Sequence, residues 1–287
     1  MTQEKTFPTL AATIKRLTGL DILPEKYYLF EHRFPEIMRE SGIKDFEELD
    51  RMLAQGSDQK LVGRVIEKIT THETKFFRDE SIFSAFAEQI IPEWKERNAF
   101  AGLESQYLPL KIWSAACSTG QEVYSIAMIL AEFHPQLIKN TQITATDISE
   151  ETVERAKQGF YSDFEISRGL PENYRKKYFV EKAGGAQIRR ELLPPIQFQA
   201  ANLLTCAVQE KFDIIFCRNV AYYFAEDARV KLFQKMQQAL KSDGVLIIGS
   251  AESLSGILDG YVLREFGLAR YYELNTQNIS LFKRAGQ

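Results

Sequence analysis

The segment that most constrains the fold of this chain is residues 113–122, with the sequence WSAACSTGQE. It predicts the end of an apolar strand, a loop of small residues and the start of a helix. Small residues let the backbone approach a ligand closely, and in open α/β folds this loop lies at the ligand-binding edge of the sheet. Its single glycine, Gly120, does not make a G-x-G-x-x-G pattern, which disfavours NAD. An ordinary tight turn between a strand and a helix is the alternative.

The chain after residue 110 alternates strands with helices. Short apolar runs predict strands at residues 111–113, 142–146, 212–217 and 245–248. Helical spacing of apolar residues predicts helices at 124–133 and 230–240. This alternation indicates an α/β fold with a parallel sheet covered on both faces. The tail has strand-like runs without helices, at 261–264, 271–274 and 279–283, which predict an antiparallel end to the sheet.

The first third of the chain shows helical spacing and no strand-like alternation. Asp45 stands just before an apolar stripe and is typical of a helix start. Another helix is predicted from about Asp79, and Pro92 should kink or shorten it. Its apolar stripe consists of Phe83, Phe86, Ile90 and Trp94. We therefore predict an all-helical N-terminal domain at residues 1–92, a linker at 93–110 and an α/β domain at 111–287.

An insertion interrupts the α/β alternation. Three short β-like runs follow one another at residues 178–180, 187–189 and 196–198. Two glycines separate the first two runs, and two prolines precede the third. The pattern predicts a small antiparallel β-flap at residues 178–200.

Composition excludes several classes of protein. The chain has 287 residues, 45% of them hydrophobic and 26% charged, which excludes a disordered or fibrous chain. The 36 basic and 39 acidic residues give a net charge of -3, which disfavours nucleic-acid binding. No apolar run approaches the roughly 20 residues that span a bilayer, so we expect no membrane insertion. The 3 cysteines and 3 histidines lack the spacing of a disulfide framework or a metal site, and we expect a cytoplasmic location.

Polar residues at predicted strand ends are candidates for a ligand crevice. Asp147 ends the second strand, where a carboxylate can accept hydrogen bonds from ribose hydroxyls; helix capping is the alternative. Asn202 offers a donor and an acceptor for an adenine edge, or else is a turn residue. Arg218 and Asn219 end the most apolar strand. Of the aromatic residues at 222–224, one should face the crevice and another the core.

Five motifs occur in order along the chain. They are TTHETKFFR at 70–78, WSAACSTGQE at 113–122, ATDI at 145–148, FCRNV with YF at 216–224, and AESL at 251–254. Together they resemble the CheR family, the chemotaxis receptor methyltransferases, over nearly the whole chain. The resemblance implies a Rossmann-like methyltransferase domain with an inserted β-flap behind a helical N-terminal domain. It also implies S-adenosylmethionine as cofactor, S-adenosylhomocysteine as product, and methylation of glutamate carboxylates on the cytoplasmic helices of a chemoreceptor.

The resemblance also assigns site residues by position. Around the cofactor it places His72, Thr74, Arg78, Glu122, Asp147, Asn202, Leu203, Arg218 and Asn219. Arg78 and Tyr223 would lie nearest the transferred methyl group as catalytic residues. Four residues depart from the pattern that the resemblance implies: His72 replaces a frequent asparagine, Val123 a common proline, and Ala221-Tyr222 an aliphatic pair.

Basic residues near the N-terminus match positions at which the family meets its receptor. They are Lys26, Arg33 and Arg39. Lys26 and Arg33, seven residues apart, would share one helical face, whereas Pro35 intervenes before Arg39. A solvated charged face is the alternative for each of them.

Other functions compete with this interpretation. A non-catalytic S-adenosylmethionine-binding signalling scaffold is the main alternative, although every cofactor position carries a suitable residue. The acidic composition and the Arg218-Asn219-Val220 sequence disfavour a nucleic-acid methyltransferase.

A glutamate side chain is already ionised at pH 7, so the lack of an evident acid–base pair fits ester formation. No feature of the sequence requires more than a monomer.

Overall fold

The main sheet has a parallel core and an antiparallel edge. The computed structural model describes residues 3–71, 73–100 and 109–274. In spatial order the strands are β6 (Ile196–Ala200), β2 (Thr141–Asp147), β1 (Leu110–Ala115), β7 (Phe212–Cys217), β8 (Leu240–Ile248), β10 (Ala269–Leu274) and β9 (Tyr261–Phe266). The first five are parallel, whereas β10 pairs antiparallel with β8 and β9. The α/β prediction is confirmed, and the predicted run at 279–283 lies outside the described residues.

Helices precede the sheet and alternate with its strands. Before β1 lie α1 (Gln3–Thr18), α2 (Tyr28–Arg33), α3 (Pro35–Glu40), α4 (Phe46–Gln55), α5 (Gln59–Ile69), α6 (Glu80–Ala85) and α7 (Ile91–Phe100). After β1 lie α8 (Gln121–Phe133), α9 (Glu150–Gln158), α10 (Asp163–Ser167), α11 (Glu172–Tyr178) and α12 (Glu226–Ala239). Across the described ranges, every helix is too short or too polar to cross a membrane.

Strand β7 shows why the sheet needs cover on both faces. Ile214 and Phe216 belong to the hydrophobic cluster that includes α8, whereas Ile215 and Cys217 belong to the cluster that includes α12. Successive side chains of a strand point to opposite faces. A continuous apolar run is therefore stable only between two helical layers, as the sequence predicts.

The helices α1 to α5 pack around a hydrophobic cluster of their own, which runs from Phe7 to Ile69. Phe30 at its centre is fully buried. The predicted helix start at Asp45 is confirmed, because its carboxylate accepts a hydrogen bond from the Glu48 N–H at 2.9 Å. The helical character predicted for the N-terminal region is thus confirmed for these residues.

Among the described residues, the helical segment before β1 belongs to the hydrophobic cluster of the sheet and α8, and the N-terminal helices form a different cluster. Phe86 and Trp94 lie in the cluster of α8 and the sheet, whereas the N-terminal cluster ends at Ile69. The segment passes through Pro92, with one π-helical turn at Phe86–Ile90 just before it. Proline lacks the N–H that an α-helix needs, so the hydrogen-bond register changes there without ending the helix. The predicted linker at 93–110 is helical as far as residue 100, and we propose a domain boundary near residue 70.

The flap differs from the prediction in its third strand. The predicted hairpin is present as β4 (Phe179–Lys182) and β5 (Gly185–Ile188), but β3 (Phe160–Ser162) completes the sheet in the order β3-β5-β4. The run at 196–198 lies in β6 and pairs in parallel with β2. Its assignment to the flap at 178–200 is therefore wrong. A local β pattern does not specify the partner strand, and Ile196 and Phe198 pack against the main core.

His134 directly follows α8, is buried and forms hydrogen bonds as a neutral imidazole. Its Nε2–H donates to the Ala87 carbonyl oxygen at 2.7 Å, and the Lys95 ammonium donates to its Nδ1 at 2.9 Å. Burial, with a smaller contribution from Lys95, lowers the pKa of His134. Protonation would remove the acceptor for Lys95 and place two cations side by side.

We expect the free energy of unfolding to fall as the pH drops below about 6.5, the ordinary pKa of histidine. Because the pKa of His134 is lowered in the folded state, the unfolded state binds the proton more tightly, so stability is lost as pH decreases toward that lowered pKa. Urea unfolding at pH 7.5 and 5.5 measures the loss. His134→Gln should reduce the pH dependence, whereas His32→Gln, at an exposed position, should retain it. Equal pH dependence in both variants would contradict this assignment.

Candidate active site

A cavity opens at the carboxyl ends of β1, β2 and β7. The empty space between its wall atoms, counted together with open solvent at its entrance, is about 1050 Å³. Among the residues predicted for the site, its wall contains Thr74, Arg78, Glu122, Asp147, Asn202, Leu203, Arg218, Asn219 and Tyr223. The N-terminal region contributes Thr18 at the end of α1, Leu20 just after it and Ile69 at the end of α5 to the same wall. The structure thus brings the predicted residues together, except that His72 lies outside the described residues.

The loop between β1 and α8 has a strained backbone. Ala116 and Ser118 have φ values of 66° and 50°, which non-glycine residues rarely adopt. Gly120 has a φ of 93°, and a Cβ there would lie 3.0 Å from the Ala156 Cβ of α9. The small residues therefore let the strand, the loop and α9 pack closely while the loop lines the cavity. Such strain is frequent where a backbone is shaped for a ligand.

Asp147 is buried at the end of β2 and forms part of the cavity wall. Its Oδ2 accepts a hydrogen bond from the Ser118 N–H at 2.8 Å, and its Oδ1 accepts one from the Ser149 N–H at 3.2 Å. The cap of α9 is Ser149, whose hydroxyl accepts the Thr152 N–H at 3.0 Å. The capping alternative therefore applies to Ser149, and the carboxylate of Asp147 is an acceptor suited to ribose hydroxyls.

Arg218 is the centre of a buried ionic network. Its guanidinium donates to the Glu122 Oε2 at 3.0 Å and to the Asp79 Oδ2 and the Arg78 carbonyl oxygen, each at 2.7 Å. The Ser114 hydroxyl donates to the other oxygen of Glu122 at 2.8 Å. Arg218 thus joins β7, α8 and the segment before α6, so that it holds other site residues in place as well as lining the cavity.

Asp79 belongs to this network, although the sequence pattern marks only a helix start there. Its φ of 61° and the φ of 50° at Phe77 give the segment a sharp turn. The Phe77 N–H donates to the Ser125 hydroxyl at 3.0 Å, which ties the turn to α8. A carboxylate directly after the TTHETKFFR motif is the sequence signal that could have indicated this role.

Glu252 organises the loop that follows β7. Its Oε2 accepts the N–H groups of Asn219 at 2.9 Å and Gly249 at 2.7 Å. Its Oε1 accepts those of Val220 at 3.1 Å and Ala221 at 2.7 Å. These bonds stabilise the left-handed backbone of Asn219, whose φ is 58°. The AESL motif by itself predicts no role for Glu252. A lone carboxylate shortly after a buried strand is the sequence signal that could have indicated this role.

Asn202 links the cavity wall to the end of α1. Its side-chain N–H donates to the Leu17 carbonyl oxygen at 2.8 Å, and its side-chain oxygen accepts the Leu204 N–H at 2.9 Å. The turn alternative from the sequence is thus confirmed, and contact of Asn202 with an adenine edge stays a prediction for a residue that also lines the cavity. Leu203 beside it is buried and offers an apolar wall.

The mouth of the cavity is aromatic and basic. Tyr223 and Phe224 line it, whereas Tyr222 is 46% exposed. The prediction for the aromatic run is confirmed, because Phe224 also packs on the cluster that includes α12. The guanidinium of Arg78 donates to the Glu73 carbonyl oxygen at 3.1 Å. The Asp21 N–H donates to the Tyr223 carbonyl oxygen at 2.9 Å, which fixes the backbone of the mouth.

The three N-terminal basic residues do not share one helical face. Lys26 is exposed in a 3₁₀ turn at Pro24–Lys26, which ends before α2 begins. Arg33 is half-buried, and its guanidinium donates to the Lys68 and Ile69 carbonyl oxygens at 3.0 and 3.2 Å. Arg39 is exposed on α3. The predicted shared face of Lys26 and Arg33 is wrong, because the turn interrupts the helix and Arg33 caps the end of α5.

The buried cysteines beside the site are held as thiols. Burial raises the pKa of Cys117 and of Cys217 well above its ordinary value, and nearby carboxylates such as Asp147 and Glu252 act in the same direction. A protonated thiol is a poor nucleophile. Within the described ranges, acidic, histidine and cysteine side chains form no group that could hold a metal ion.

The cavity fits a nucleoside-bearing cofactor such as S-adenosylmethionine. The Asp147 carboxylate can accept from the ribose, while Leu203 and Ile148 supply apolar surface for an adenine ring. The strained loop at residues 116–118 forms an adjoining part of the wall. These residues would hold the nucleoside part and leave Arg78 and Tyr223 for the reacting end.

Comparison with known proteins identifies the family. Residues 72–264 match the family described as CheR methyltransferase, SAM binding domain. The chain is similar to a chemotaxis protein methyltransferase of Vibrio anguillarum, 35% identical over 250 residues, which cover 85% of this chain and 87% of the relative. It is 33% identical over 261 residues to chemotaxis protein methyltransferase Cher2 of Pseudomonas putida, with 89% of this chain and 92% of the relative covered. The chain therefore belongs to the CheR family of S-adenosylmethionine-dependent chemotaxis methyltransferases.

Proposed function

We propose that this methyltransferase acts on glutamate side chains of the cytoplasmic helices of a chemoreceptor and converts them to methyl esters. The observation that carries the proposal is one cavity whose wall includes both the Asp147 carboxylate and the side chains of Arg78 and Tyr223. We propose as cofactor-binding residues His72, Thr74, Arg78, Glu122, Asp147, Asn202, Leu203, Arg218 and Asn219. In this proposal the protein acts as a monomer in the cytoplasm.

The chemistry requires no general base. A glutamate carboxylate is ionised at pH 7 and is itself the nucleophile. S-adenosylmethionine supplies a methyl group on a cationic sulfur, and transfer forms a C–O bond while the C–S bond breaks and leaves its electron pair on a neutral thioether. No proton moves. The protein's contribution is then positioning and exclusion of water, for which a partly enclosed cavity is suited.

In this proposal Arg78 and Tyr223 receive the acceptor carboxylate. The guanidinium of Arg78 can pair with a glutamate carboxylate at the mouth. The hydroxyl of Tyr223 can donate to the same group and fix its direction of approach. Both side chains are half-buried, so a carboxylate that reaches them loses part of its water shell.

The exposed basic residues of the N-terminal region suit an acidic receptor surface. Lys26 and Arg39 are exposed and available for such contact. Arg33 is committed to the end of α5, so it would act chiefly by holding α5 in place. We therefore propose Lys26 and Arg39 as direct receptor contacts and Arg33 as a support for them.

Incubation with methyl-labelled S-adenosylmethionine and a chemoreceptor cytoplasmic fragment from the same source tests the proposal. We expect label to enter the fragment and to be released as methanol by mild base, because carboxyl methyl esters are base-labile. Label that resists base would contradict ester formation. Absence of label, with S-adenosylhomocysteine binding intact, would favour the signalling-scaffold alternative.

A matched pair of tyrosine variants belongs in the same experiment. Tyr223→Phe should lower kcat about 10-fold, because it removes a donor to a charged group. Tyr174→Phe removes a hydroxyl on α11, outside the cavity, and should leave methylation unchanged. Full activity of Tyr223→Phe would contradict the polar role assigned to it.

A further inference from the structure

The mouth of the cavity holds a pair of adjacent tyrosines in direct contact. The ring centroids of Tyr222 and Tyr223 are 4.2 Å apart, with 46° between the ring planes. The Tyr222 hydroxyl donates to the Tyr223 hydroxyl at 3.2 Å. Tyr223 lines the cavity, whereas Tyr222 stands outside it and is 46% exposed. One hydroxyl of the pair therefore faces the reacting space and the other supports it from outside.

The backbone that carries the pair is held on several sides. Both residues lie in a 3₁₀ turn at Ala221–Tyr223. The Ala221 N–H donates to Glu252 at 2.7 Å, and the Tyr223 carbonyl oxygen accepts the Asp21 N–H at 2.9 Å. These bonds fix the backbone positions from which the two side chains extend and meet.

From this geometry we infer that Tyr222 is a positioning residue for methyl transfer: its hydroxyl donates to that of Tyr223, so that Tyr223 keeps its own proton for the acceptor carboxylate. A phenol has one proton and two lone pairs, so a hydroxyl that accepts from one neighbour still donates to another. The inference rests on the proposed function, in which Tyr223 meets the glutamate. Tyr222 itself would touch neither the cofactor nor the substrate carboxylate.

The surroundings of Tyr222 favour its protonated state. Partial burial, followed by the contact with Tyr223, raises the pKa of Tyr222 to about 12. Arg78 acts in the opposite direction, and Glu252 in the same direction. The Tyr222 hydroxyl therefore keeps its proton at neutral and mildly alkaline pH, as its hydrogen bond to the Tyr223 hydroxyl requires.

Kinetics of four proteins test the inference: the wild type, Tyr222→Phe, Tyr223→Phe and the double variant. We expect Tyr222→Phe to lower kcat about 3- to 10-fold, the effect of losing one hydrogen bond. The affinity for S-adenosylhomocysteine should stay at the wild-type value. In the Tyr223→Phe background, Tyr222→Phe should have no further effect, because the hydroxyl that it positions is gone. An equal loss in both backgrounds would overturn the inference, as would full activity of Tyr222→Phe.

A spectroscopic measurement separates this inference from the proposed function. The chain has 12 tyrosines, which can be labelled with carbon-13 at Cζ and assigned by single Phe variants. Tyr222→Phe should shift the Tyr223 Cζ resonance, whereas Tyr174→Phe should not. An unmoved Tyr223 resonance would overturn the inference even in an active enzyme. Failure of the wild type to methylate any receptor would refute the proposed function, while the resonance would still report whether the hydroxyl pair exists.

Discussion

Arg218→Met should lower the free energy of unfolding by about 3 kcal/mol and abolish methylation, because it leaves buried carboxylates without their cation. The side chain of Arg218 is only 2% exposed, and its partner Glu122 is 13% exposed. Glu122 would keep the Ser114 hydroxyl but lose its counter-charge, and Asp79 would no longer hold the turn before α6. Urea unfolding and calorimetry with S-adenosylhomocysteine measure the two effects.

Two further variants make the Arg218 experiment specific. Arg218→Lys keeps the charge, but its single ammonium cannot bind Glu122, Asp79 and a carbonyl oxygen together as the planar guanidinium does. We therefore expect losses of stability and of methylation that are smaller than those of Arg218→Met. Arg175→Met is the matched control, since Arg175 also binds two carboxylates, those of Asp163 and Glu181, but at an exposed site. Surface ion pairs contribute little, so this variant should stay near the wild type. Equal destabilisation by Arg218→Met and Arg175→Met would refute the network's role.

Asp147→Asn should weaken binding of S-adenosylhomocysteine about 10- to 100-fold, the usual effect of losing hydrogen bonds to a charged acceptor. The substitution preserves the shape of the side chain. It replaces one carboxylate oxygen with an NH₂ group, which cannot accept from the Ser118 N–H, the Ser149 N–H or a ribose hydroxyl. Isothermal titration calorimetry with the product measures the change.

A second buried aspartate in the same sheet provides the control for Asp147. Asp213 is equally buried but lies at the amino end of β7, where it accepts from the Lys111 N–H and the Trp94 indole. Asp213→Asn should destabilise the fold and leave product affinity unchanged. Wild-type affinity in Asp147→Asn would refute its role at the ribose. An equal loss of affinity in Asp213→Asn would show that general destabilisation explains the effect.

Local sequence patterns were sufficient to predict the strands that bury continuous apolar runs. The predicted bounds of β7 coincide with the strand, because a run buried on both faces has no amphipathic ambiguity. Asp45 predicts a helix start because capping is a contact within one turn. The run at 196–198 was misassigned because strand pairing depends on distant residues. Pro92 does not end the helical segment, and a π turn precedes it; the predicted kink stays a prediction.

The residues of the cavity wall could be predicted from the sequence, whereas the contacts among them could not. Motif positions indicated which residues would meet, and the wall contains them. They did not indicate that Glu252 would accept four backbone N–H groups or that Arg218 would bind Asp79, because these contacts join segments remote in sequence. Nor could they show that Tyr222 would reach the Tyr223 hydroxyl, which depends on the turn geometry.

The cavity lies where two separately packed hydrophobic clusters meet. Leu20 and Ile69 pack in the N-terminal helical cluster, and Leu203 belongs to the cluster that includes α12. A molecule bound there touches both clusters, so part of its binding free energy also holds the N-terminal helices against the sheet. This coupling is reciprocal. If the bound cofactor lowers the equilibrium constant for separating these helices from the sheet by some factor, separation of the helices lowers the affinity for the cofactor by the same factor. A partner that engages the N-terminal helices would therefore change, through this shared wall, how tightly the cofactor is bound.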